Sequence, residues 1–360
     1  MLTNKHYQRS ERLKFRGTNR NMSTMSGSNS QYLDAQRSSQ EGRPVVSVII
    51  PVLNEERVLG RCLDSLRGMN FSPEELEVII VDNGSTDRTI QIAHEYAATF
   101  RLTVTEKKGV HISALRNLGA TQARGDIFAF LDADCLVPRA WLSFALNCFN
   151  AQDIGVLGGF YRIPEGSSWV ARTWYPEEAV NKRGIVPYVP SGDLMVTRAA
   201  FSRVGGFDET LETNEDYEFC QRIRAAALRV VAYPELNVIH LGVPQTLGHF
   251  YRRNRWHGKH VVRVFLRNIS SMPNARPVFF ALYILACLVG VFLGLALGAL
   301  GRFEVLTTSV IALLVGPFFL GLRAAIARKR WTEVIPLASL YLVFGFSRAR
   351  CLVDIRNWSD

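Results

Sequence analysis

Residues 278–300 read "VFFALYILACLVGVFLGLALGAL" and carry no charge over 23 positions. As an α-helix this run is about 34 Å long, enough to cross the hydrocarbon core of a bilayer. A water-soluble fold would have to bury a helix that is apolar on every side. A second uncharged run follows at 305–322, "VLTTSVIALLVGPFFLGL", with Pro317 as a kink position. Only "GRFE" separates the two. The pattern predicts transmembrane helices over 277–300 and 305–327. A third apolar segment, 331–347, is short for a full crossing and reads as interfacial, re-entrant or transmembrane.

Lysine and arginine set the expected orientation. Residues 252–276 hold seven of them (Arg252, Arg253, Arg255, Lys259, Arg263, Arg267 and Arg276) and no acid. Arg323, Arg328, Lys329 and Arg330 follow the second run, whereas the tight loop holds only Arg302, offset by Glu304. The large N-terminal region is therefore expected on the cytoplasmic side of a multi-pass protein of the cell (inner) membrane. Residues 247–276 read as a basic amphipathic segment lying along that surface. This belt accounts for much of the net charge of +10. No helix-turn-helix, RNP-type or zinc-finger pattern is present, so no nucleic-acid partner is expected. The six cysteines are scattered without CxxC spacing and read as reduced thiols. Residues 1–43 hold eight Lys/Arg against three Asp/Glu, with no apolar h-region; they read as a disordered basic tail and not as a signal peptide.

Residues 44–246 have a different texture. Apolar, β-branched runs ("VVSVIIPV", "LEVIIVD", "DIFAFL") alternate with helical patterns such as "ERVLGRCLDSLRGM", where Val58, Leu59, Cys62, Leu63 and Leu66 share one face. Such alternation predicts an α/β fold with a mainly parallel sheet and helices on both faces. Ligands bind such sheets beyond the carboxyl ends of the strands. The polar clusters there are Asn54-Glu55-Glu56, the loop opening at Asp82, and Asp132-Ala133-Asp134. Two carboxylates at i and i+2 of an extended segment point the same way and repel unless a cation lies nearby. A hard ion such as Mg2+ or Mn2+, carrying substrate phosphates, answers that repulsion. A solvated turn is the alternative reading for an isolated pair.

"SVIIPVLNEE", "VIIVDNGSTDRT", "ALRNLGA", "FLDADC" and "SGDLMVTRAAFSRVGGFDE…NEDYEFCQRIRAAALRV" occur in the order typical of family 2 glycosyltransferases of GT-A (Rossmann-like) fold. The resemblance covers about residues 45–245. It implies a nucleotide-sugar donor, most often a UDP-sugar, and a lipid-linked or cell-surface glycan acceptor. It implies that Asp82 reads the base, that Asp132 lies near the ribose and that Asp134 binds Mn2+ or Mg2+. Pro51, Asn54 and Glu55 would line the nucleotide pocket, with Arg116 against base or phosphates. Asp216 of "NEDYEFCQRI" is implied as catalytic base; a helix-capping role fits its position equally. Asp193 would bond donor sugar or acceptor. His240 resembles a late histidine at the metal or diphosphate, with a core histidine as the alternative. "RRNRW" resembles the QxxRW signature of processive synthases, with Arg252 in place of Gln. Arg255 and Trp256 would cover the diphosphate, or Trp256 would anchor the membrane interface. Other functions kept open are polyprenyl-phosphate glycosyl transfer, nucleotidyl transfer and an inactive membrane scaffold.

Overall fold

The computed structural model describes residues 45–149, 153–177, 180–259 and 272–354. The N-terminal tail and the 260–271 stretch of the basic segment lie outside the described residues. The chain forms two compact units. Of the described residues, one unit contains those up to Glu165 together with Tyr175–Val243; the other contains Gly166–Trp174 and those from Pro244 onward. The excursion Gly166–Trp174 is thus counted with the C-terminal helices, although the sequence pattern groups it with 44–246.

The first unit is an α/β sandwich. Its strands are β1 (Val46–Val52), β2 (Leu76–Asp82), β3 (Arg101–Glu106), β4 (Ile127–Leu131), β5 (Cys135–Leu136), β6 (Ile154–Gly158), β7 (Gly184–Ile185), β8 (Asp193–Thr197), β9 (Arg229–Ala232) and β10 (Ile239–His240). Eight of them form one sheet, ordered β3-β2-β1-β4-β8-β6-β9-β7. β3, β2, β1 and β4 run parallel, as do β6 and β9. β8 runs antiparallel between β4 and β6. This reversal brings the start of β8 to the same edge as the end of β4, with Asp193 opposite Leu131.

Every residue of β1, β2 and β4 is buried, as strands covered on both faces require. Helices α1 (Leu59–Arg67), α2 (Thr89–Glu95), α3 (Ile112–Gln122) and α4 (Trp141–Cys148) provide part of the cover. α1 buries Leu59, Cys62, Leu63 and Leu66, the face read from their spacing. One core cluster forms around Ile50, Leu63 and Trp141, another around Phe128, Phe130, Phe201, Phe207 and Phe219.

The second unit is helical. It contains α5 (Trp169–Trp174), α8 (Leu247–His257), α9 (Met272–Gly298), α10 (Glu304–Arg328) and α11 (Val334–Val353). The numbers α6 (Arg198–Val204) and α7 (Glu215–Ala225) belong to the first unit. The last three helices of the chain are long and apolar enough to cross a membrane, and they mark the protein as membrane-associated. α10 continues through Pro317 without a break. α11 extends to Val353, about 30 Å, longer than the apolar run 331–347 suggested. The Trp174 ring packs on Phe250 at 4.8 Å, on Tyr341 at 5.7 Å and on Phe344 at 5.8 Å. Arg328 donates to the Thr173 carbonyl at 2.7 Å.

Candidate active site

β4 ends at Leu131, and the chain then turns through Asp132 and Asp134 into the short strand β5. β10 pairs antiparallel with β5 and sets His240 opposite Cys135. That pairing places His240 Nδ1 3.6 Å from Asp134 Oδ2. Asp134, Cys135 and His240 form a cluster with donor atoms within 4.8 Å of one another. Burial pushes the Cys135 thiol well up, so it stays protonated and leaves the carboxylate and the imidazole as donors. Gly242 lies against this pair: a Cβ there would sit 2.1 Å from Asp134 Oδ2 and 2.9 Å from His240 Cε1. Oxygen and imidazole donors beside a space kept open by a glycine fit a divalent ion such as Mn2+ or Mg2+.

Glu55, on the loop after β1, adds a third acid. Burial, and then the charges of Asp134, Asp132 and Asp87, push its carboxyl up to about 7. Its influence reaches the metal pair, whereas the sequence suggested only the nucleotide pocket.

Asp132 is held differently. Arg116 donates to its Oδ1 at 2.8 Å and Tyr161 OH to its Oδ2 at 3.4 Å. Gly192 permits this packing, since a Cβ there would stand 2.2 Å from Asp132 Oδ2 and 2.5 Å from the Tyr161 oxygen. The Tyr161 ring in turn lies against His240, centroids 4.5 Å apart. Tyr161 thus touches both groups, yet nothing in the pattern around "FYRIP" marks it.

Arg116 differs from its expected place against base or phosphates. It is 1% exposed. Its second terminal nitrogen donates to Glu215 Oε1 at 2.8 Å, and Ser191 Oγ donates to the same oxygen at 2.9 Å. The opposed charges of Asp132 and Glu215 outweigh burial and hold the guanidinium above its ordinary value. Glu215 opens α7, and Asp216 follows it, half-buried, accepting from the Tyr217 amide at 2.7 Å. Burial, and then the Glu215 charge, push the Asp216 carboxyl up to about 7. The rings of Tyr188 and Tyr217, both partly exposed, meet at 5.8 Å. The Asp216 charge acts on Tyr188.

Asp193 also differs from expectation. It is 0% exposed, with Oδ1 accepting from Trp141 Nε1 at 2.9 Å and Oδ2 from the Gly159 amide at 2.9 Å. Burial pushes it up to about 7. It braces β8 against α4 through the Trp141 bond. Pro51 is likewise internal: it lies within β1, paired with Val81.

The loops after β1 and β2 are stitched together. Asn54, at φ 56°, accepts from the Thr86 amide at 2.8 Å, and its own amide donates to Ser85 Oγ at 2.9 Å. Asp82 is buried and accepts the Ser85 amide on both oxygens at 3.0 Å. The Ser85 hydroxyl adds a 2.6 Å bond to Oδ1. Asp82 therefore forms the turn; Oδ1 accepts both Ser85 donors, while Oδ2, with one, retains a lone pair for a further donor. Asp87 accepts from the Thr89 amide at 3.0 Å and so caps the start of α2. Arg255 and Trp256 belong to α8 in the helical unit. There Arg255 lies 3.8 Å from Asp354, and Trp256 is exposed with its ring edge toward His257.

The sequence profile "Glycosyl transferase family 2" matches residues 47–205, and "Glycosyl transferase family group 2" matches residues 127–325. The glycosyltransferase AglE of Haloferax volcanii is 29% identical over 254 residues, covering 67% of this chain and 80% of AglE. The pre-mycofactocin glycosyltransferase of Mycobacterium tuberculosis is 32% identical over 207 residues, covering 54% of this chain and 42% of its own length. The fold is similar to that of a mannosyltransferase of Pyrobaculum calidifontis, solved in complex with GDP-Man and Mn2+, with a TM-score of 0.58 at 21% identity. That likeness covers 90% of this chain and 94% of the mannosyltransferase. The strand order, the paired acids at the end of β4 and the profile matches across most of both units agree: the chain belongs to the family 2 glycosyltransferases and is a glycosyltransferase of GT-A fold with C-terminal apolar helices.

Proposed function

We propose that this enzyme moves one sugar from a nucleoside diphosphate sugar to a hydroxyl of a lipid-linked or cell-surface glycan, inverting the anomeric centre. The observation that carries this reading is the bridge made by Arg116. One guanidinium holds Asp132, at the end of β4, and Glu215, the neighbour of Asp216, each at 2.8 Å. Donor-binding and proton-accepting carboxylates are thereby parts of one site.

In this reading Asp82, Asn54 and Glu55 line the nucleotide side, and Asp132 faces the ribose. Asp134 and His240 hold Mn2+ or Mg2+, which when bound supplies positive charge to the diphosphate leaving group. The GDP-Man and Mn2+ in the Pyrobaculum mannosyltransferase support the choice of donor class and ion. Asp216 accepts the proton of the attacking hydroxyl. A carboxyl pushed up to about 7 is suited to that work near neutral pH. Attack from the face opposite the leaving group inverts the centre. The half-exposed Tyr188–Tyr217 pair beside Asp216 offers aromatic faces to a sugar ring. The three apolar helices anchor the enzyme, and Arg323, Arg328, Lys329 and Arg330 after the second of them favour a cytoplasmic catalytic unit.

The test is a screen of purified protein for nucleotide release from UDP-, GDP- and dTDP-sugars with Mn2+, followed by Asp216→Asn. Loss of about 10²–10⁴-fold in turnover, with donor binding retained, is expected. A phosphate acceptor, as in polyprenyl-phosphate glycosyl transfer, arrives ionised and leaves Asp216 no proton to take. Transfer that survives Asp216→Asn but not Asp134→Ala would replace the hydroxyl acceptor with a phosphate. Release of pyrophosphate in place of a nucleoside diphosphate would point to nucleotidyl transfer.

A further inference from the structure

Arg116 is a costly residue to keep. Taking a guanidinium out of water carries a penalty of several kcal/mol, and buried ion pairs recover it only with full hydrogen bonding. Here the Nε of Arg116 meets no acceptor among the described residues. Its partners come from two distant parts of the chain, Asp132 after β4 and Glu215 at the start of α7. An apolar side chain would fill the same space beside Phe207, over which the guanidinium lies at 5.7 Å. Stability alone does not account for this arrangement.

We infer that Arg116 is a positioning residue of the transfer reaction: it fixes Asp132 and Glu215 relative to each other and sets the charge beside Asp216. This inference rests on the reading of Asp216 as the base. Arg116 is assigned to positioning and not to donor contact because it is buried and each terminal nitrogen is turned to a protein carboxylate.

The groups acting on Asp216 come from several elements. Glu215, its neighbour on α7, opposes ionisation, and Arg116 on α3 favours it. The amides of Tyr217 and Ser191 also favour the ionised form. Tyr188, Tyr161 and Cys220 complete the surroundings as neutral groups whose own ionisation the Asp216 charge resists. Arg116 and Glu215 thus act on the base with opposite sign. Removing the Glu215 charge should ease Asp216 ionisation; removing the Arg116 charge should hinder it.

The experiment measures the pH dependence of nucleotide release from the sugar donor found in the screen, using full-length protein in detergent. Glu215→Gln should move the acid limb of kcat to lower pH, and Arg116→Gln to higher pH, each by about one unit or more. Arg116→Lys keeps the charge but not the two-armed geometry; its limb should stay near that of wild type while kcat falls about tenfold. Damage to folding alone would give losses of one direction with an unmoved limb, and that result would overturn the inference. Glu215→Gln is nearly isosteric, so it decides the matter even if Arg116→Gln fails to fold. Asp216→Asn separates the two readings. If it abolishes release while the limbs move together or not at all, the base stands and the positioning role of Arg116 falls. If it leaves release intact, the base reading falls and takes that role with it.

Discussion

At the edge of the sheet where β1 and β2 begin, Ser47 donates to Glu77 Oε1 at 2.5 Å across register-paired positions. The amides of Arg124 and Gly125 donate to the same oxygen at 2.5 and 3.3 Å, and Gly125 also bonds Ser47 Oγ at 2.9 Å. Arg198 closes this edge by donating to the carbonyls of Ala123 and Gly125. At the opposite edge, where the same strands end, acids stand beside acids. Glu55 feels Asp134 and Asp132, Asp216 feels Glu215, and one guanidinium serves two carboxylates. Both edges bury charge. One satisfies a single acid with backbone and hydroxyl donors, which is structural work. The other accumulates like charge, an arrangement that suits a cation and a proton in transit.

The largest effect should follow from removing an acid at the crowded edge. Asp134→Ala leaves His240 without its carboxylate neighbour and should lower metal-dependent nucleotide release by at least about 10²-fold. Calorimetry with Mn2+ should show the loss of binding directly, while the thermal midpoint stays at or above that of wild type. A variant that unfolds instead would place Asp134 among the structural acids and erase the contrast between the edges.

Glu77→Ala should show the reverse profile. The Ser47 hydroxyl and the part-buried Arg124 amide lose their acceptor, each at a cost of about 1–3 kcal/mol before relaxation, while the Gly125 amide keeps Ser47 Oγ. A net destabilisation of about 2–4 kcal/mol is expected in chemical denaturation. Turnover per folded molecule should be unchanged, because Glu77 and its partners Ser47, Arg124 and Gly125 lie at the end of the strands opposite Asp82.

How much of this was legible in the chain follows from the range of each interaction. β1, β2 and β4 are continuous apolar runs, and their ends name the ligand-binding edge without any long-range information. "DLMVT" carries no mark of direction, so the antiparallel β8, on which Asp193 turns inward, depends on pairings with β4 and β6 that are remote in sequence. Arg116 sits in "ALRNLGA", where the resemblance implies a place against base or phosphates; its burial needs Glu215, 99 residues away. Tyr161 and Gly242 acquire meaning only when β10 folds against β5. The acids were visible as local motifs. The groups that hold them were not, because they are defined by tertiary contact.

Ser47→Ala probes the closed edge more gently. It removes one donor to Glu77 and one acceptor for the Gly125 amide, both buried, while leaving the Arg124 bond in place. A loss of about 1 kcal/mol is expected from denaturant midpoints, with turnover again unchanged. A loss equal to that of Glu77→Ala would mean that the network stands or falls as a unit.

The smallest effect concerns stability at the crowded edge, and its sign is the informative part. Asp216 is pushed up to about 7 in the fold, against an ordinary value of 3.8. Between those two pH values the folded chain holds a proton that the unfolded chain has released. The unfolded state then binds fewer protons, so stability falls as pH rises through this window. Above pH 7 the wild type carries the whole of that cost, and Asp216→Asn carries none of it. The variant should therefore melt above the wild type at pH 8, with the gap closing as pH falls toward 4. Asp216 is partly open to solvent, so the gap should be modest. A wild type that gains stability relative to Asp216→Asn on going to pH 8 would mean that its carboxylate is bound as firmly as Glu77, and the crowded edge would then be structural as well.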